Sequence, residues 1–418
     1  MTEQHCPYAM DQSGQDIQGE ATLLRGRGRA TQVELPGGVV VWAVTDMALT
    51  KQLLTDSRVS RDPYLHWPRW ENGEGEFART WPLAMWVADR NMITAYGAEH
   101  SRLRKLVAKA FTARRTAALR PRIEAITAEL LDRVAELAQD GPVDLRADLA
   151  YALPTRVISD LLGIPDDLRP ELLRIVGAWL HGPASEEEAM ALAGEMYALL
   201  ARLIELKRSV PGDDLVSGLI AARDEDDGAG LSEQELVDTV LLLFTAGHET
   251  TVNLLDHAVH RLLSHPDQLA LVRAGTASWD DVIDETVRLE APFANMPLRF
   301  AVEDIVLDDV TFARGDAIMI SFAGVGRDPL VHGESADLFD LTRSTLRDHI
   351  GFGHGVHYCI GAPLARLEVA IALPALFERF PGLELVEPAD GLKPLESFIS
   401  NGHRELPVRI QPLVTAGV

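Results

Sequence analysis

Only two cysteines occur among 418 residues, and one of them, Cys359, lies in the stretch FGHGVHYCIG, residues 352–361. His354 and His357 stand beside it, and the apolar run ARLEVAIALPALF follows directly. A thiolate is a strong, soft ligand, but a free thiol with a pKa of about 8.5 needs help to ionise near neutrality. A helix N-terminus gives such help through its unpaired N–H groups and dipole. Pro363 suits the first turn of that helix, and Gly353, Gly355 and Gly361 would let the backbone approach a flat ligand closely. The stretch can therefore offer one thiolate to a metal lying against bare backbone, which a haem iron with a cysteine axial ligand satisfies. Two other readings compete. A lone cysteine is commonly a small buried hydrophobe. Zinc is the other, because His349, His354, His357 and Cys359 are close in sequence. Structural zinc sites, however, are usually built from several cysteines at CxxC-type spacing, and no second cysteine is near. Cys6 reads as a bystander.

A second stretch with chemistry is AGHETT, residues 246–251. It falls in the middle of a long helical pattern. Ser232-Glu-Gln-Glu235 forms a capping box, with Leu231 and Leu236 placed as a hydrophobic staple. The helix it opens can run to Ser264, about 33 residues and roughly 50 Å. Gly247 costs such a helix about 1 kcal/mol against alanine, and Thr250 and Thr251 are poor helix formers. Packing of small residues against a close neighbour is one reason to tolerate that weakness. Two weaker patterns stand elsewhere. His100 and Arg104 are four apart, hence on one helix face, which alone describes a solvated helix edge. Glu285 and Arg288 form E-x-x-R, which alone describes a surface ion pair.

The elements that must hold these residues run as strands first, helices in the middle, and a mixture at the end. Thr31–Val44 reads as two strands around a Pro-Gly-Gly turn, and short strand-like runs return at Leu298–Val302, Ala317–Ser321 and Pro407–Ile410. From about residue 100 to 290 the periodicity is mostly helical; Leu103, Leu106, Val107, Ala110 and Phe111 make one apolar stripe. The acidic loop Arg223–Gly230 joins two helices without dividing the chain. The expected class is mainly α with small β-sheets (α+β), in a single domain over 1–418 with a mobile N-terminus over 1–20. The chain is 47% hydrophobic and 24% charged, an ordinary globular composition. A net charge of −24 speaks against nucleic acid or an anionic membrane as the main partner. The N-terminal residues have neither a basic region nor an apolar run, Val240–Ala246 is too short to span a bilayer, and a cytoplasmic location with no membrane span is the expectation. No G-x-G-x-x-G stands between a strand and a helix, so no flavin or nicotinamide site is expected.

FGHGVHYCIG matches in full the F-G-x-G-x-H-x-C-x-G loop of the cytochrome P-450 superfamily, the haem-thiolate monooxygenases, and the chain resembles that family in order over essentially its whole length. The resemblance implies one long central helix crossing a haem b. Cys359 would be its axial ligand, with Ala246, Phe352, Gly353 and Gly361 against it. His100, Arg104, Arg299 and His357 match the donors to its propionates. AGHET matches the family's A-G-x-[DE]-T, which gives Thr250 a hydrogen bond to bound oxygen and Glu249 a proton relay, while His248 has no role. Glu285, Arg288 and Arg343 (in FDLTR) match a buried folding network. The implied reaction inserts one atom of molecular oxygen into a C–H bond, with electrons from a separate ferredoxin and its reductase, on a monomer. Arg102, Lys105, Lys109, Arg114, Arg115 and Arg366 would gather positive charge for that ferredoxin. A peroxide-driven or ring-forming haem enzyme and a haem-based sensor are the alternatives. The nearest branch oxidises steroids and macrolide-type polyketides in secondary metabolism. Met85, Trp86, Leu242, Thr245, Ala246, Asn295, Met296 and Ile399 would line a mostly apolar pocket for a bulky, nearly neutral molecule. Trp67 and Trp70 are expected in the core, and Trp81–Val87 nearer the roof of the pocket.

Overall fold

Ala30–Leu35 and Val39–Val44 pair antiparallel, with Leu35 opposite Val39. Gly37 and Gly38 turn the chain at φ of 78° and φ of 67°. These conformations are open to glycine because it lacks a Cβ. The computed structural model describes residues 6–180, 186–224, 228–386, 388 and 391–410. They are about 55% helical, with small sheets, in agreement with the expected class. No helix among them is long and apolar enough to cross a membrane.

Contacts divide the chain into two compact units. The first takes Met1–Asp89, Ile123–Leu153 and Glu249–Val418; the second takes Arg90–Arg122 and Pro154–His248. The first unit holds a six-stranded sheet in the order Tyr8–Ala9, Ala30–Leu35, Val39–Val44, Ala317–Ser321, Asn295–Ala301, Val59–Ser60. Strands far apart in sequence become neighbours: Val59 lies opposite Ala301 and Ser60 opposite Phe300. Tyr8 and Ala9 pair with Val33 and Glu34, and the side chain of Asp16 accepts the Gly19 N–H to cap the helix Ile17–Arg27. A two-residue strand has no periodicity of its own; its order comes from its partner.

Aromatic residues fill one side of that sheet. Trp67 stacks on Trp70 and on Phe300, and meets Trp81 edge-to-face. Trp67 and Trp70 are core residues, as expected. Trp81 joins them: it is buried, and its indole N–H donates to the Pro36 carbonyl at 2.8 Å.

A buried ion network anchors the chain before the cysteine loop. The Arg288 guanidinium donates twice to Glu285 at 2.7 Å, and also to the Gly326, Ala336 and Leu338 carbonyls. Arg343 donates to Glu285, to Ser335 and to the His332 and Leu338 carbonyls. Asp340 N–H completes the carboxylate at 2.9 Å. The structure thus brings Glu285, Arg288 and Arg343 together, and a Cβ on Gly326 would lie 2.0 Å from the Arg288 carbonyl oxygen.

The second unit is helical. In Gly97–Ala110 the stripe Leu103, Leu106, Val107 and Ala110 is buried. The capping box forms, with Ser232 N–H to Glu235 at 2.7 Å and Glu235 N–H to Ser232 Oγ at 3.3 Å. The helix then runs Glu233–Ser264 without a break and supplies residues to both units.

Candidate active site

The cysteine loop is closed by its own backbone. Gly353 N–H donates to the Ile350 carbonyl at 2.7 Å, Tyr358 N–H to Gly355 at 3.1 Å, and Cys359 N–H to Phe352 at 2.8 Å. Gly353 and Gly355 hold positive φ, 80° and φ of 69° respectively. Gly355 departs from the sequence reading in one respect: a Cβ there would lie 2.4 Å from the Leu54 carbonyl oxygen, so that glycine serves packing of the loop rather than approach of a ligand. Gly361 caps the helix Ala362–Arg379, accepting the Leu364 and Ala365 N–H groups, with Pro363 in the first turn. Cys359 is exposed just ahead of that helix N-terminus. Arg366 lies over the half-buried Phe352 ring at 5.0 Å and pairs with Asp284.

Two residues from neighbouring strands meet in the same unit. Arg299 stands on Asn295–Ala301, and the register that sets Ser60 opposite Phe300 brings Arg61 to it. Both are buried. Burial pushes the Arg61 guanidinium down to about 10, and burial together with Arg61 pushes Arg299 well below its ordinary value. Arg61 Nε and one terminal nitrogen of Arg299 have no hydrogen-bond partner among the described residues. An unpaired buried cation costs several kcal/mol, so this pair calls for anionic oxygen. The two carboxylates of a haem would supply that chemistry, and Cys359 would supply a thiolate for its iron; the donor set fits the group. Sequence reasoning misses Arg61, because SRDP carries no signal: only strand pairing joins it to Arg299. His357, the loop's own donor, is half-buried.

Glu249 and Thr250 belong to this unit as well. Burial raises the pKa of the Glu249 carboxyl, against the opposing pull of Arg146 at 4.0 Å and of Asn253. Glu249 Oε1 accepts from Asn253 Nδ2 at 3.2 Å, and Oε2 is buried without a partner among the described residues. The Glu249 side chain therefore reaches along its own helix toward Asn253 and Arg146. Arg146 opens a π-helical turn, Arg146–Tyr151, and also donates to Asp256 at 2.9 Å. Burial, helped by Glu249, pushes the Tyr151 hydroxyl up to about 12. None of Arg146, Tyr151 and Asn253 is legible in the sequence as part of the site. Thr250 is half-buried.

Five of the expected pocket residues also lie in the first unit. Asn295 donates its amide to the Phe398 carbonyl at 2.7 Å, leaving its buried oxygen as a polar handle. Ile399 is buried with Phe398, and its carbonyl accepts the Ala294 N–H at 2.7 Å. Met296 is half-buried, Trp86 packs edge-to-face on Phe293, and Met85 is described by its backbone alone, at the start of the helix Met85–Ala88.

In the second unit, His100 is buried and Arg104 half-buried, one turn apart on Gly97–Ala110. Leu242 and Ala246 are half-buried; Thr245 is exposed and donates its hydroxyl to the Leu241 carbonyl at 2.9 Å. His248 is buried, with its ring stacked on Phe244. The expected positive patch is partly engaged in ion pairs. Arg102 pairs with Glu99 and Glu235, and Arg115 with Asp213. Lys105 and Arg114 are exposed.

The family model for cytochrome P450 matches residues 201–274 and 279–401. The 2-hydroxy-5-methyl-1-naphthoate 7-hydroxylase of Streptomyces carzinostaticus is 45% identical over 406 residues, covering 97% of this chain and 98% of its own. CYP154A1 from Streptomyces coelicolor A3(2) superimposes with a TM-score of 0.89 at 50% identity, over 97% of this chain and 100% of that one. CYP154C4 from Streptomyces sp. ATCC 11861, solved with testosterone bound, gives 0.91 at 42% identity over 97% of this chain and 98% of that one. A thiol-bearing loop, an unbroken long helix carrying AGHETT and a buried pair of arginines thus belong to an oxygenase fold. The chain is a member of the cytochrome P450 family, and its activity is that of a monooxygenase.

Proposed function

We propose that Cys359 is the axial ligand of a haem b, and that the protein inserts one atom of molecular oxygen into a C–H bond of a bulky hydrophobic molecule, working as a single-domain monomer in the cytoplasm. When bound, the haem supplies oxygen activation, promoted by electron density from the thiolate. The observation that carries the reading is the Arg61–Arg299 pair, buried and unpaired among the described residues of the unit that carries the cysteine loop. These two guanidiniums and His357 would hold the haem carboxylates with charge-assisted hydrogen bonds. His100 and Arg104 are assigned to the same carboxylates by the family motif, and Ala246, Phe352, Gly353 and Gly361 to the haem faces.

Glu249 holds the proton to be delivered. Burial favours its neutral form, Oε1 is occupied by Asn253, and the unpartnered Oε2 is the atom that carries the proton. The Thr250 hydroxyl passes it on. A peroxide-driven enzyme needs no such relay. The chain carries no flavin or nicotinamide fingerprint, so electrons come from a separate ferredoxin and its reductase, with Lys105, Lys109 and Arg114 as docking charges.

For the substrate we favour a neutral polycycle of the steroid or polyketide kind. The family resemblance assigns Leu242, Ala246 and Met85 to the pocket; in the first unit Trp86, Met296 and Ile399 offer apolar surface, while Asn295 Oδ1 can accept one substrate hydroxyl. The testosterone-bound relative supports a steroid. The naphthoate hydroxylase supports a second reading, an aromatic acid.

The test is the reduced carbon-monoxide spectrum of the purified protein. A strongly red-shifted Soret band is expected in the wild type and should be lost in Cys359→His. A protein that cannot take up haem refutes the reading. Titration with testosterone and with a naphthoic acid, read as the low-spin to high-spin shift, separates the two substrate classes.

A further inference from the structure

Three histidines unrelated to the cysteine loop converge inside the first unit. His257 and His260 lie one turn apart on the long helix, and His403 comes from the loop that follows Ile399. The His403 ring centroid is 4.9 Å from that of His257 and 4.6 Å from that of His260. One ring nitrogen from each lies within 4.8 Å of the others, and all three residues are buried. We propose that His257, His260 and His403 form a site for a divalent first-row transition ion, zinc by preference, that clamps the 399–403 loop to the second half of the long helix.

The chemistry of the donors supports a metal over a solvated cluster. Neither ring nitrogen of His257 has a hydrogen-bond partner among the described residues, although both are buried. Leaving them so costs free energy that a metal bond would recover. Ligation takes the neutral imidazole. His403 is already oriented: Nδ1 meets the Asp256 carboxylate at 3.1 Å, which leaves Nε2 for a ligand. Metal-bound histidines are commonly fixed this way by a carboxylate. Asp256 is itself held by Arg146 at 2.9 Å and by His403 N–H at 2.8 Å. The loop approaches this closely because residue 402 is glycine; a Cβ there would lie 2.4 Å from Asn253 Oδ1.

The donor set also selects the ion. Three imidazoles suit zinc, copper or nickel, whereas calcium and magnesium need oxygen ligands. The Asp256 oxygens are engaged by Arg146 and His403 and are not offered to the site. Zinc–nitrogen bonds of about 2.0 Å place tetrahedral ligands about 3.3 Å apart. The observed spacing would close by small rotations of the rings.

The experiment uses the full haem-loaded chain, stripped with a chelator, so that failure of this site leaves the haem spectrum as an independent readout. Zinc chloride is titrated in competition with a chromogenic chelator, and bound zinc is counted by mass spectrometry of the elements. One zinc per chain with submicromolar affinity is expected, together with a rise in unfolding temperature that magnesium chloride does not produce. His257→Gln and, as a second variant against misfolding, His260→Gln should each weaken binding by about a hundredfold or more. Asp256→Asn should weaken it about 10- to 100-fold. X-ray absorption of the wild type should show three imidazole nitrogens at about 2.0 Å from the zinc. Absence of stoichiometric zinc in the wild type overturns the proposal, and so does zinc whose affinity is indifferent to both glutamine variants. In the first case the histidines are a packed neutral cluster; in the second the zinc sits on surface imidazoles.

Discussion

Two of the sets of arginines buried in the first unit are opposites. Around Glu285, Arg288 and Arg343 both guanidiniums reach the carboxylate and several backbone carbonyls. Around Arg61 and Arg299, no carboxylate among the described residues offsets the burial of either cation. Desolvating a charge is expensive in both places. In the first set the protein meets that cost with its own acceptors, which makes the network part of the fold. In the second set the cost is left unmet among the described residues, as the proposed role in holding the haem carboxylates requires. Burial alone therefore does not separate structural from functional charge; hydrogen-bond completeness does.

Three outcomes would break or sharpen this contrast. Arg288→Ala should have the largest effect. It strands the fully buried Glu285 carboxylate, at a cost of about 3–5 kcal/mol, and should appear as loss of soluble, cooperatively unfolding protein in denaturant titrations. Arg299→Leu should behave differently. The haem-free chain should be as stable as the wild type or more so, because an unpaired buried charge is removed, while transfer of haem to an acceptor globin should accelerate about tenfold or more. If Arg299→Leu instead unfolds the haem-free chain as Arg288→Ala does, the two sets are not opposites.

The smallest effect concerns Glu249. In the fold its carboxyl pKa is raised above the ordinary 4.5 by burial. The fold thus holds a proton that the unfolded chain releases near that ordinary value. The contribution to stability is complete below the unfolded pKa and fades as pH rises through the folded one. Glu249→Gln, which cannot ionise, should flatten this part of the stability–pH curve without lowering stability at neutral pH. Product formed per reductant should fall and hydrogen peroxide should rise. A variant with unchanged coupling and the wild-type pH slope would remove Glu249 from the proton path.

The contrast also explains which parts are legible in the sequence. The Glu285-Arg288 spacing, the Ser232 cap and the Pro-Gly-Gly hairpin depend on residues within a few positions of one another. Local geometry decides them, so they appear in the sequence and again in the structure. The N-terminal segment escapes such a reading because the strand Tyr8–Ala9 is ordered by its partner in Ala30–Leu35.

The sequence by itself determined the glycine-closed Cys359 loop and the long capped helix, because a cysteine turn before a helix start and AGHETT within a capped helix are short-range patterns. It determined too that the family motifs stand in order along the chain. Only the tertiary structure decided that Arg61 meets Arg299 and that the 403 loop brings a third histidine to His257 and His260. It alone turned Glu249 toward Asn253 and Arg146. The reason is physical: unpaired charge, shifted protonation and converging ligands are properties of burial and of long-range pairing. A linear chain shows neither until strands from its two ends share a sheet and its last loop packs against its central helix.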